Sequence, residues 1–223
     1  MSSSGSGPGV ITPDGCAVDV YARLPATGEP EIVASAVPSG ASILELGSGA
    51  GRVTHALVAL GYSVVAVDES PEMLALVRGA DTVQSTIAEL ELGRTFDAVL
   101  FGSHLVNVPD ADERAALLAA ARRHVAADGV VLIEWHAPQW FDAVTEGAGG
   151  TVGDVRIEIG DISRDGDLLS ATVRYWSESE LWTQSFTARR LSEERLRSDL
   201  EGAGLEFDRW LTDDKAWLTA RAG

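Results

Sequence analysis

Two kinds of apolar pattern divide this chain. From Ser42 to Glu134, short continuous apolar runs alternate with stretches of helical spacing; from Thr151 to Arg189, apolar and polar residues alternate at every second position. Continuous runs suit strands buried on both faces, and strict alternation suits strands with one covered face. The first region predicts strands at Ile43–Leu46, Ser63–Val67, Thr82–Ser85, Phe96–Phe101 and Val130–Glu134. Between them, Ser70 caps a helix with Pro71 at its first position, ending near Gly79. Asp110-Ala-Asp-Glu113 opens a long Ala/Leu helix closed by Asp128-Gly129. Upstream, Val18 to Val37 reads as helix in two pieces, with Pro30 at a first helical position and Pro38-Ser-Gly40 as the turn out. Strands joined by helices imply a parallel sheet covered on both faces.

The alternating region includes Val155-Arg-Ile-Glu-Ile159 and Thr172-Val-Arg-Tyr-Trp176, with a hairpin turn signal at Arg164-Asp-Gly166-Asp. Three antiparallel strands are expected there, with Trp176 and Trp182 on the buried face. Ser192 then caps a last helix, with Glu193 and Glu194 in its first turn, Leu191 stapled to Leu196, and Gly204 at its end. Two further strands, near Leu205–Trp210 and Trp217–Ala220, complete the sheet. The expected class is α/β: a doubly wound, mostly parallel seven-stranded sheet with a small antiparallel β insertion after strand five. Residues 1–15 read as a disordered tail, and 16–223 as a single domain.

Chemistry concentrates in Ser42-Ile-Leu-Glu-Leu-Gly-Ser-Gly-Ala-Gly-Arg52 and Val64-Val-Ala-Val-Asp68. A buried strand runs into glycines 47, 49 and 51 and then into a helix, whose unpaired N–H groups and dipole favour anionic ligand groups. The next strand ends on Asp68, 17 residues after Gly51, where a carboxylate can accept hydrogen bonds from both hydroxyls of a ribose. A nucleoside-containing cofactor across the strand ends is the reading. The dinucleotide fingerprint G-x-G-x-x-G needs a glycine at position 52, where this chain has Arg52. That disfavours a nicotinamide-dependent oxidoreductase.

Glu45-Leu-Gly-Ser-Gly-Ala-Gly51 and Val67-Asp68-Glu-Ser-Pro-Glu-Met-Leu74 resemble the first two motifs of class I S-adenosylmethionine-dependent methyltransferases. The resemblance covers about residues 18–223, with its specific motifs before Glu134. It implies S-adenosylmethionine as cofactor and S-adenosylhomocysteine as product. Glu45, Gly47, Ser48, Gly49 and Gly51 would pack against the amino acid moiety, Asp68 and Glu69 would hold the ribose, and Met73, Thr86, Ile87 and Ser103 would line the remainder. Tyr21 lies where related enzymes close an N-terminal segment over the cofactor. Family members often carry an acid near the adenine; here Thr86 stands in that place, with Ile87 expected against the ring and Glu89 as the alternative. The insertion, 151–189, would cover the acceptor side or join two subunits. A cofactor-binding partner without transferase activity remains the competing class, because methyl transfer needs no obligatory nucleophile.

Composition narrows the acceptor. At 223 residues with 45% hydrophobic and 23% charged positions, the chain suits a soluble globular domain. No signal peptide or membrane-spanning run is visible, so the cytoplasm is expected. The formal charge of −17, with 34 acidic and 17 basic residues, opposes phosphate backbones and anionic membranes. A small-molecule acceptor, and a monomer or homodimer, are the expected partners. Neither the asparagine/aspartate-Pro-Pro-Tyr motif of nucleobase amino methyltransferases nor a Pro-Cys dipeptide is present. A lone Cys16 excludes internal disulfides and cysteine-built metal sites, and no acid/histidine cluster has ligand spacing, so no metal is expected. His104 and His136, after strands four and five, are the candidate acceptor-side bases. Trp135 and Trp140 are candidate walls of an acceptor pocket, and His55 reads as structural.

Overall fold

The computed structural model describes residues 4–223. Strand β1 (Ser4–Ser6) precedes helices α1 (Val18–Tyr21) and α2 (Glu29–Ala36). The alternating core follows as β2 (Ser42–Leu46), α3 (Arg52–Ala59), β3 (Ser63–Asp68), α4 (Pro71–Leu74), β4 (Asp81–Gln84) and β5 (Phe96–Phe101). After a 3-10 turn at Leu105–Asn107 come α5 (Ala111–His124), β6 (Val125–Glu134) and α6 (Pro138–Ala143). Four strands, β7 (Gly149–Val152), β8 (Val155–Asp165), β9 (Leu168–Ser177) and β10 (Glu180–Arg189), precede α7 (Glu193–Gly202), β11 (Leu205–Trp210) and β12 (Trp217–Ala222).

The main sheet has seven strands in the order β11-β12-β6-β5-β2-β3-β4, with β2 through β6 parallel and β11 and β12 antiparallel. Its apolar runs split between two layers because successive strand residues point to opposite faces. Leu44, Leu46, Val65 and Val99 pack with α5 residues Leu117 and Leu118 on one side; Ile43, Val64, Ala98 and Leu100 pack with Val33, Val53 and Leu57 on the other. This is the doubly wound arrangement that the continuous runs predict.

Two local boundaries differ from the sequence expectation. Helix α4 ends at Leu74 rather than near Gly79, and the Arg78 N–H is taken by His55 Nε2 at 2.9 Å. Asp128-Gly129 closes no helix; it lies inside β6, where a Cβ on Gly129 would stand 2.9 Å from the Asp97 carbonyl oxygen. Close backbone approach to β5 is what demands glycine there.

The second sheet corrects the count and the tail together. It has five antiparallel strands, β1-β10-β9-β8-β7, not three. Its outermost strand is drawn from the segment expected to be disordered: Ser4–Ser6 pairs with Thr183–Ser185. The Trp182 indole donates to the Pro8 carbonyl at 2.8 Å, and Ile11 bridges Ala17. Polar, glycine-rich sequence does not announce a strand, but the open edge of β10 supplies partners for its backbone groups. Trp182 is fully buried with Val20 and Tyr175. Trp176 takes the other face instead, half-buried beneath the Arg156 guanidinium, because it is one residue out of phase with Tyr175.

Candidate functional site

The carboxyl ends of the parallel strands carry the glycine loop. Gly47, Gly49 and Gly51 all have positive φ (+70°, +55° and +85°), a region that side chains rarely adopt. A Cβ on Gly47 would also stand 3.0 Å from Leu105 Cδ1. The loop is closed by its own acid: Asp68 Oδ2 accepts from the Gly49 N–H at 2.8 Å, and Oδ1 from the Ser70 N–H at 2.9 Å. Burial nonetheless raises the Asp68 carboxyl above its ordinary 3.8, those backbone bonds opposing the shift. Ser48 Oγ is buried without a hydrogen-bond partner. An orphaned hydroxyl, a bare-backbone cradle and an acid at the next strand end together fit the amino acid and ribose ends of a nucleoside cofactor.

Glu45, 5% exposed and next to the last residue of the loop's strand, accepts from the Thr54 hydroxyl. Burial pushes its carboxyl from 4.5 up to about 7, against that bond and the Arg52 charge. Arg52, standing where a dinucleotide site needs glycine, opens α3 and pairs with Glu29 at 2.5 Å. Tyr21 does reach the loop: its Cδ1 lies 3.9 Å from where a Gly49 Cβ would be. Ile87 approaches Gly47 in the same way, Cδ1 at 3.9 Å. Glu69 is exposed, its carboxyl raised by desolvation and by Asp14 and Asp68. Two further expected residues have contacts of their own. Met73 is 2% exposed and packs with Val18 and Ala50. Thr86 hydrogen-bonds Glu89 at 2.9 Å, so both polar candidates beside Ile87 are used in a local turn.

Beside this loop lies a cavity of about 320 Å³, bounded by the end of β5, the end of β6 and one face of the second sheet. Ser103 lines both this cavity and the small cleft that holds Glu45 and Gly47, so the two regions meet at its position. Ser103 and His104 have φ of +54° and +56°. Left-handed backbone at non-glycine residues costs roughly 1–3 kcal/mol each and is held only by surrounding structure. Here the hold is Glu134, whose Oε2 accepts from the Ser103 N–H at 2.7 Å while Oε1 lies 3.7 Å from His104 Nε2.

The two histidines form one column. His104 stacks on His136 at 3.6 Å, and His136 on Trp140 at 3.6 Å. Burial lowers His104 below 6.5, with Glu134 opposing; burial and the His104 ring push His136 down to about 2. Both imidazoles are therefore neutral near pH 7. Trp135 turns away from the cavity into the core at 1% exposure, its indole donating to the Lys215 carbonyl. His55 belongs to the support of α3 and α4, as above.

Four residues that sequence reasoning did not single out complete the site. Asn107, 2% exposed, donates to the carbonyls of His136 (3.2 Å) and Arg189 (3.0 Å) and accepts from the His136 N–H (2.8 Å). It ties the turn after β5 to the ends of β6 and β10, and no local pattern signals partners so distant in sequence. Glu134 had a signal, a carboxylate closing a strand as Asp68 does. Tyr175 and Gln184 follow from strand phase once the covered face is known. Both Tyr21 and Tyr175 hydroxyls donate to Gln184 Oε1, at 3.2 and 3.3 Å, and Gln184 Nε2 donates to Cys16 Sγ. Burial drives the phenols up, Tyr175 to about 12, and the Cys16 thiol to about 12 as well. Among the described residues no group of acids, histidines and cysteine is arranged to hold a metal ion, and no helix is long and apolar enough to cross a membrane.

Comparison with known proteins agrees with this geometry. Residues 43–129, from β2 into β6, match the family model described as a methyltransferase domain. An uncharacterised methyltransferase of Mycobacterium tuberculosis is 43% identical over 67 residues, 30% of this chain and 28% of that protein. The cypemycin N-terminal methyltransferase of a Streptomyces species is 29% identical over 128 residues, 54% of this chain and 51% of that protein. The match thus spans about half or less of these curated relatives' length. Among solved structures, the CcbJ methyltransferase from Streptomyces caelestis superposes with a TM-score of 0.75 at 22% identity, covering 92% of this chain and 96% of that one. A sugar N-methyltransferase from Streptoalloteichus gives 0.69 at 20% identity, covering 98% of each. The fold is that of the Rossmann-like methyltransferases, and residues 43–129 are similar to a methyltransferase domain.

Proposed function

We propose that this methyltransferase domain uses S-adenosylmethionine to methylate an oxygen or nitrogen of a small-molecule acceptor, releasing S-adenosylhomocysteine. The observation that carries the reading is the junction at Ser103, where the glycine-loop cleft and the 320 Å³ cavity share a wall. When bound, the cofactor supplies an electrophilic methyl group. Glu45, Gly47, Ser48, Gly49 and Gly51 would hold its amino acid moiety, and Asp68, with Glu69 and Ile87, its nucleoside. Tyr21 lies over the loop and would shield it. Related proteins of known structure include a sugar N-methyltransferase and a glycopeptide N-methyltransferase bound to S-adenosylmethionine, which supports a small-molecule acceptor here.

The protein's work in such a transfer is alignment, since a displacement at carbon needs an in-line nucleophile more than acid–base chemistry. The Glu134–Ser103–His104 brace fixes the imidazole at the mouth of the cavity, and His104, neutral near pH 7, can accept the acceptor's proton there. His136 serves as the middle of the stack; with a pKa of about 2 it is a poor base. The acidic surface supports an acceptor other than nucleic acid, and work in the cytoplasm as a monomer or homodimer completes the proposal. The test is calorimetry with S-adenosylhomocysteine and NAD, followed by acceptor screening with radiolabelled cofactor. Binding of NAD and not S-adenosylhomocysteine would end the reading; binding without turnover on any acceptor would favour a partner protein.

A further inference from the structure

Fifteen residues line the cavity beside the glycine loop, and none is Asp, Glu, Lys or Arg. With 23% of the chain charged, roughly three would be expected. The neutrality is particular to this place. A cavity of about 370 Å³ at the start of α7 is lined by Arg114, Arg189, Arg190 and Arg195, and one of about 440 Å³ at the opposite end of the sheet by Asp97, Asp128 and Arg221. Each wall of the neutral cavity has its own chemistry. Ile159, Val173 and Phe186 form an apolar surface on the second sheet. Tyr21, Tyr175 and Gln184 form a polar strip whose hydrogen bonds are mutual, leaving phenol lone pairs but no charge. The His104–His136–Trp140 column stands with them, and burial keeps both imidazoles uncharged at neutral pH.

From this lining we infer that the acceptor enters as an uncharged molecule: an alcohol, a phenol or an amine in its free-base form, carrying no carboxylate, phosphate or permanent cation on the part inside the cavity. The inference rests on the transfer reaction proposed above and adds its selectivity. An ion moved into this cavity gives up hydration and meets no opposite charge on the lining itself, the Glu134 carboxylate standing behind Ser103 and His104 and already engaged by them. A neutral polar group instead keeps a hydrogen bond on the tyrosine strip. A volume of about 320 Å³ is in the range of small-molecule sites and accommodates a ring-sized group.

The experiment uses matched ring fragments that differ only in one substituent, a hydroxymethyl, a carboxylate or a trimethylammonium group, on several scaffolds. Each is soaked into crystals grown with S-adenosylhomocysteine, and its affinity is measured by calorimetry. Neutral members should occupy the cavity and bind at least tenfold more tightly than their charged partners. Equal or tighter binding by a charged series overturns the inference, as does a cavity that stays empty throughout. Val173→Asp and Ile159→Asp, side by side on the cavity face of the second sheet, each place a carboxylate on the lining, and either folded variant should make the trimethylammonium member the tightest of its set. An unchanged ranking in both also overturns it. S-adenosylhomocysteine binding is read separately in the same protein: its absence refutes the methyltransferase reading, while the fragment ranking alone judges the cavity.

Discussion

Glu45→Gln should change how stability responds to pH. The carboxyl is 5% exposed, bonded to the Thr54 hydroxyl, and raised by burial from 4.5 to about 7. Between those two values the unfolded chain has released the proton and the folded protein retains it. The folded state binds more protons, so stability falls as pH rises through this window and the whole loss is present above about 7. A carboxyl moved from 4.5 to about 7 accounts for roughly 2–3 kcal/mol, most of it expressed between pH 5 and pH 8. Glutamine keeps an acceptor for Thr54 and does not titrate. Wild type should therefore lose roughly 2–3 kcal/mol relative to Glu45→Gln on going from pH 5 to pH 8. Asp68 and Glu69, whose carboxyls are also raised, are present in both proteins and cancel to first order. Urea unfolding followed by tryptophan fluorescence at the two pH values measures the difference directly. A stability gap that stays constant within about 0.5 kcal/mol would show that Glu45 is ionised in the folded protein and that the argument from burial fails.

Three further outcomes are expected. Asp68→Ala should weaken S-adenosylhomocysteine at least tenfold by calorimetry, since even one charge-assisted hydrogen bond of ~1.5–3 kcal/mol accounts for that; unchanged affinity would remove Asp68 from ribose binding. His104→Ala should lower turnover ~10²–10⁴-fold, and the wild-type rate should rise with pH through a value below 6.5 and then level off, because burial depresses the imidazole and only its neutral form accepts a proton. A loss under about tenfold with the same profile would leave His104 a positioning group. Asn107→Ala strips partners from the His136 N–H and from two carbonyls at a buried position, at ~1–3 kcal/mol for each group left unsatisfied; a urea-unfolding loss below ~1 kcal/mol would mean the three segments do not depend on it.

The sequence alone carried whatever depends on near neighbours. The glycine loop, the acid at Asp68, the caps at Ser70, Asp110 and Ser192, and the succession of strands and helices in the parallel core follow from spacing, turn chemistry and period, which act within a few residues. Tertiary structure decided what depends on residues far apart in the chain. Ser4–Ser6 became a strand only because β10 offers it an open edge about 180 residues away. Asn107 became the brace of the site through partners on β6 and β10, and Trp176 left the buried face because phase, not hydrophobicity, assigns a strand residue its side. Met73 packs against Ala50 of the glycine loop, and Thr86 bonds Glu89 in a local turn, contacts that spacing alone does not show. The neutrality of the cavity was least visible of all, since the strongly acidic composition points the other way. Charge is a sum over the whole chain, whereas the cavity is a selection of fifteen residues made by the fold.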